Sequence, residues 1–179
     1  AEGRRNEDAD QLMTAINISA DYELVCPYRF LSPIAPHLAA TEEGVRISCA
    51  HIMQGFRQLQ SLADAIVVEG VGGWQVPLNE RYDMPDLARQ MDLRVVIVVG
   101  GRLGCINHAL LTAQAILASD LAVAGWVFNH VDPDMLQVAE VKEALRARMP
   151  GTLIADIPWQ DQIDPVKLAR GFNLPPLKP

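Results

Sequence analysis

Four runs in this chain are apolar without polar alternation: AIVVEG at 65–70, RVVIVVG at 94–100, LAVAGWVFNHV at 121–131 and LIADIP at 153–158. A strand with one wet face alternates polar and apolar residues, whereas these runs are apolar on both faces. Stretches with helical spacing, long enough to cross back over a sheet, separate them. Such a pattern predicts a parallel sheet with helices on both faces, a three-layer α/β/α fold.

The intervening segments agree. In 7–18 (EDADQLMTAINI), Ala9, Leu12, Met13 and Ile16 fall on one helical face. Ser48 to about Ala63 carries a stripe of Ala50, Met53, Phe56, Leu59 and Ala63. Asp83 is a candidate N-cap for a helix through Met91, with Pro85 and Asp86 in its first turn. Helices are expected over 106–118 and 135–148, with a further turn from Asp164 to Arg170. CPYRFLSPIAPH at 26–37, with prolines at 27, 33 and 36, is expected to be an extended loop. No repeat, linker or low-complexity stretch interrupts 1–179, so one domain is expected.

Composition excludes several classes. The formal charge of −7 gives no electrostatic drive toward nucleic acid or anionic membrane. Cys26, Cys49 and Cys105 are odd in number and lack CxxC spacing, which argues against a disulfide scaffold or zinc site and fits a reducing compartment. His37, His51, His108 and His130 never pair at i, i+4. No apolar run approaches the ~20 residues that span a bilayer. AEGRRNEDAD has no signal-peptide apolar core, so a cytoplasmic location is expected.

Open parallel sheets bind ligands beyond the carboxyl ends of their strands, so the loops after Glu69, Gly100 and Asn129 are expected to share one rim. In VVEGVGGW (67–74), Glu69 is placed to offer an oxygen to a nucleotide-bound Mg²⁺, and Gly70, Gly72 and Gly73 let backbone approach a ligand. The same pattern also fits a strand end with a glycine turn and a surface carboxylate. In GGRLGCINHALLTAQAIL (100–117), a helix opens near Gly104-Cys105-Ile106-Asn107 and suits a carboxylate, or else is simply hydrated. Cys105 lacks a His or Asp pattern that would make it a nucleophile. Asn129 offers the donor and acceptor that a purine edge needs, or caps a loop. Asp8, within NEDAD, is either a second metal carboxylate or part of an acidic helix start.

Nucleotide-binding sheets of this type hold phosphates on a glycine-rich loop with a lysine. GxxxxGKS/T does not occur here, because Lys142, Lys167 and Lys178 follow Val, Val and Leu. A strand, phosphate loop, helix and return strand would need roughly 40 residues. The expectation is therefore an N-terminally incomplete chain, or one in which that segment is lost.

In order and spacing, the series ED-A, PYRF…APH, VVEGVGGW, VVIVVGGRLGCINHALLTAQ, AGWVFN and IADIPW resembles the dethiobiotin synthetases along nearly the whole chain. That resemblance implies a P-loop NTPase-like fold lacking its first strand–P-loop–helix. It also implies a homodimeric, ATP- and Mg²⁺-dependent ligase of biotin biosynthesis, which closes a ureido ring on 7,8-diaminopelargonic acid with CO₂. By matching, Asp8 and Glu69 would hold Mg²⁺ on ATP, and Gly72 and Gly73 would lie against the diamine. Leu103, Gly104, Cys105, Ile106 and Asn107 would bind the substrate's carboxylate tail across the dimer. Asn129 would recognise adenine, Pro158 would cover it, and Asp161 or Asp164 would bind ribose. Ser32 to His37 would border the diamine site. The family's phosphate-loop lysine and threonine, and a second lysine, have no counterpart here, so no catalytic residue is assigned. This polypeptide by itself is expected to turn over negligibly. The competing expectation is a catalytically inactive, dimerising or scaffold-type homologue.

Overall fold

The computed structural model describes residues 5–174. Its contacts group the chain into two compact units, Ala1–Met91 and Asp92–Pro179.

The first unit is helical: α1 (Glu7–Ala15), α2 (Tyr22–Val25), α3 (Pro36–Glu42), α4 (Cys49–Gln60) and α5 (Met84–Met91). Each start has a local cause. Asn6 caps α1 by accepting the Ala9 N–H at 2.9 Å, and Ser48 caps α4 by accepting the His51 N–H at 3.3 Å. At α5, the Asp86 carboxylate reaches back to the Asp83 N–H at 2.9 Å, satisfying a donor the helix leaves open. Packing of α1 on α2, α2 on α4 and α4 on α5 buries Ala9, Cys49, Met53, Phe56 and Leu87.

The second unit is a parallel sheet in the order β1 (Val95–Gly101), β2 (Val123–His130), β3 (Thr152–Ile157), flanked by α6 (Cys105–Leu117), α7 (Val138–Arg146) and the short α8 (Pro165–Ala169). This is the parallel α/β arrangement that the apolar runs predict, and it is consistent with the P-loop NTPase-like class that the resemblance implies. The central strand carries the two largest wholly buried side chains, Trp126 and Phe128, both at 0% exposure. Close strand packing dictates Gly125, whose φ is +155° and where a Cβ would stand 2.6 Å from the Thr152 carbonyl oxygen.

Four local expectations need correction. AIVVEG at 65–70 joins no strand ladder, and Val67 is 90% exposed. An apolar run becomes a strand only where a neighbour offers N–H and C=O groups, and the described residues of the helical first unit offer it none. RVVIVVG does form β1, but at the sheet's edge Ile97 and Val99 are buried while Val98 is 63% exposed. The loop expected over 26–37 ends at Pro36, which opens α3 as a first-turn proline whose missing N–H costs nothing. Finally, α1 stops at Ala15 because Ile16 turns extended, with ψ 148°. The proline-rich end at 175–179, and residues 1–4 of the acidic N-terminal stretch, lie outside the described residues.

Candidate functional site

In the second unit, strand register builds a rim. Gly100 of β1 faces Asn129 of β2, and Asn129 faces Ile157 of β3, so the three carboxyl ends finish level. Pro158 follows directly. The loop after β1 carries Arg102 and Leu103, the latter 98% exposed, and turns into α6 through Gly104 at φ +90°. No side chain caps α6, so its start presents backbone N–H groups on the loop that leaves this rim. Cys105 is buried, whereas Asn107 is exposed. The structure thus brings Gly104–Asn107, Asn129 and Pro158 to the same end of one sheet.

Beyond Pro158 the chain folds back on the sheet. The Asn173 N–H donates to the Ile154 carbonyl at 2.8 Å. Ile157, Leu168, Phe172 and Leu174 line an apolar groove of about 420 Å³. Asp164 sits at its margin as the N-cap of α8, accepting the Lys167 N–H at 3.1 Å through one carboxylate oxygen. Asp161 is exposed.

In the first unit, Asp8 is exposed in the opening turn of α1. Tyr22 fixes that turn: its hydroxyl accepts the Asn6 N–H at 2.9 Å and donates to the Asn6 carbonyl at 3.2 Å. Glu69 is exposed in the extended segment, and Gly72 and Gly73 follow at φ +72° and +142°. No atom lies within 4 Å of where a Gly73 Cβ would stand, so its role is conformational rather than steric. Among the described residues no group of three or more His, Cys, Asp or Glu side chains converges as a metal site. Asp8 and Glu69 each present an exposed carboxylate, the type of oxygen ligand that Mg²⁺ takes alongside phosphate and water. In the Ser32–His37 segment, the Ser32 hydroxyl donates to Glu42 at 2.7 Å, and the buried His37 Nδ1 has no protein partner.

A profile described as an AAA domain matches residues 1–167. The chain is 48% identical over 170 residues, 95% of its length and 76% of the relative's, to the ATP-dependent dethiobiotin synthetase BioD of Aromatoleum aromaticum. It is 47% identical over 174 residues, 97% of its length and 78% of the relative's, to the protein of that name from Xanthomonas oryzae pv. oryzae. The corresponding Pseudomonas aeruginosa protein is 46% identical over 178 residues, 99% of this chain and 78% of the relative. The chain belongs to the dethiobiotin synthetase family.

One polar cluster of this dethiobiotin synthetase family member escapes a sequence reading. Asp156, in β3, accepts from Lys142 of α7 at 2.5 Å on Oδ2 and is bonded at 2.8 Å by His130 Nε2 on Oδ1. Burial opposes ionisation of Asp156 more than any other single influence. The hydrogen bonds and charges of Lys142 and His130 together outweigh it and hold the carboxyl below the usual carboxylate range. The visible signal is a lone acid inside the otherwise apolar LIADIP.

Proposed function

We propose that residues 1–179 act as one nucleotide-binding ligase domain of a cytoplasmic, homodimeric dethiobiotin synthetase. Its substrates are 7,8-diaminopelargonic acid, CO₂ and ATP, and its products dethiobiotin, ADP and phosphate. The observation carrying this is 46–48% identity to dethiobiotin synthetases over 95–99% of the chain. The level rim of β1–β3 supports it.

In this scheme one substrate amine adds to CO₂ and loses a proton, forming a carbamate. The carbamate oxygen takes the γ-phosphoryl group of ATP, releasing ADP. The second amine then attacks the carbonyl carbon of the mixed anhydride, phosphate leaves, and the ureido ring closes. Positioning and charge neutralisation supply most of the catalysis. Asp8 and Glu69 are the carboxylates assigned to Mg²⁺, which neutralises phosphate charge when bound. Gly72 and Gly73 let backbone lie against the diamine and its carbamate. The α6 start, Leu103 to Asn107, receives the substrate carboxylate from the partner subunit's site. Asn129 reads adenine, Pro158 covers it, and Asp164 retains one carboxylate oxygen beyond its cap for ribose. The phosphate-loop lysine is not among these residues, and residues 1–179 alone are expected to turn over negligibly. Each absent charge-assisted contact removes roughly 1.5–3 kcal/mol.

The test uses the polypeptide translated from the intact reading frame. Diamine, bicarbonate, Mg²⁺ and ATP should together release ADP and dethiobiotin, whereas Glu69→Gln should raise the Mg²⁺ concentration needed for half-maximal turnover at least ~tenfold. Absence of both products from the folded protein rejects the assignment in favour of a non-catalytic homologue.

A further inference from the structure

The Asp156 cluster ties three elements together at the rim. In register, Asp156 lies opposite Phe128, two residues before His130 and one before Asn129. His130 comes from the last residue of β2, and Lys142 from the middle of α7. Both carboxylate oxygens of Asp156 are therefore engaged, one by each partner. The His130 ring is further held edge-on against Phe128, with centroids 4.9 Å apart, and Phe128 itself is wholly buried.

Stability alone explains this arrangement poorly. Lys142 and His130 outweigh the burial of Asp156, so the cluster adds some stability, but ion pairs to a carboxylate 38% exposed contribute modestly. The His130 and Lys142 side chains are only 19% and 17% exposed. What the cluster does accomplish is mechanical. Side chains alternate along a strand, so fixing His130 on one face fixes the rotation of β2 at its tip, and with it the direction of Asn129 on the other.

We propose that Asp156 is a positioning residue for nucleotide-base selection: by anchoring His130 and Lys142 it locks the β2 tip so that Asn129 presents its amide to adenine. The assignment rests on Asn129 reading the base. An amide distinguishes adenine from guanine only when its donor and acceptor both meet the ring edge with good geometry, since hydrogen bonds weaken steeply with angle. A loosened tip therefore forfeits selectivity before it forfeits turnover. With Asp156 ionised, His130 Nε2 carries the proton that the bond requires.

The experiment measures kcat/KM for ATP and for GTP in the polypeptide from the intact reading frame. The ratio of the two, taken within one preparation, is independent of how much protein is folded. Asn129→Ala should lower the ATP preference at least tenfold. Asp156→Asn and His130→Ala should lower it three- to tenfold through KM for ATP, with kcat and the diamine KM within twofold of wild type. His130→Gln, which keeps an N–H for Asp156, should retain most of the preference. An unchanged ratio in both Asp156→Asn and His130→Ala, while Asn129→Ala loses it, overturns the positioning role and leaves the base-reading assignment standing. An unchanged ratio in Asn129→Ala overturns both.

Discussion

Gly101, the last residue of β1, offers a sharp test of how the rim is packed. Its φ is not in the left-handed region, so any cost of adding a side chain there is steric. A Cβ at Gly101 would stand 2.7 Å from Cε1 and 2.8 Å from Cζ of Phe128, and 3.2 Å from the Asn129 carbonyl oxygen. The ring has little room to yield, being 0% exposed and contacted on its flank by His130. Gly101→Ala should therefore destabilise the second unit by about 1–3 kcal/mol, the usual cost of overpacking. Phe128→Leu should cost about 2 kcal/mol for the carbons removed. Leucine, however, lacks the two atoms that a Gly101 Cβ would strike. The double variant should then be more stable than the sum of the single changes by about 1–2 kcal/mol. Urea unfolding followed by Trp126 fluorescence, with Trp74 and Trp159 replaced by Phe in every variant, reads the relevant unit directly because Trp126 is wholly buried in the same strand. Strict additivity of the two changes would refute the packing argument. A Gly101→Ala variant as stable as wild type would do so too.

Acid should expose the Asp156 cluster. Its folded-state pKa is lowered, so its contribution to stability is complete above the unfolded value of ~3.9 and vanishes as pH falls through the folded value. The urea midpoints of wild type and Asp156→Asn should accordingly differ at pH 6 and draw together as pH falls below the unfolded value; a gap that stays constant into acid contradicts this. Burial raises the pKa of Cys49, and Asp86 raises it further, so its thiol stays protonated at neutral pH. A thiol reagent should modify Cys49 in the native protein at least tenfold more slowly than in denaturant, and equal rates would contradict the burial.

The sheet of the second unit was legible because its signal is local and periodic. Runs of β-branched residues bounded by glycine, asparagine and proline mark β1, β2 and β3 and place Gly100, Asn129 and Pro158 at their tips. The exposure of Val98 was not legible, because covering a strand's second face is a property of its neighbours rather than of the strand. AIVVEG is as apolar as the true strands and forms none within its own unit. Composition thus reports burial preference, whereas hydrogen-bonded pairing is tertiary. The Asp156 cluster was hidden for a related reason, since its partners stand 14 and 26 residues away along the chain. Proline at 36 misled in the opposite direction: three prolines within 26–37 imply a loop, but the last of them sits where a helix begins.

The two sets of candidate residues also differ in how closely each is packed, which bears on the roles proposed for them. The Asn129 carbonyl oxygen would stand 3.2 Å from a Gly101 Cβ, and the next residue, His130, is held through Asp156, so small displacements of that tip meet packed atoms or stretch hydrogen bonds. Such a tip can select one base edge over another, because selection depends on geometry settled before the ligand arrives. Gly72 and Gly73 have the reverse character. Nothing lies within 4 Å of a Gly73 Cβ position, and the nearest atom to that of Gly72 is a Val76 methyl at an ordinary 3.8 Å. In the proposed reaction, positive-φ glycines with open space at the Gly73 Cβ position would let backbone follow a substrate whose shape changes as a carbamate forms and a ring closes. Under the proposed function, dense packing at the Asn129 tip would serve base selection, and open space at Gly73 would serve a substrate that changes shape.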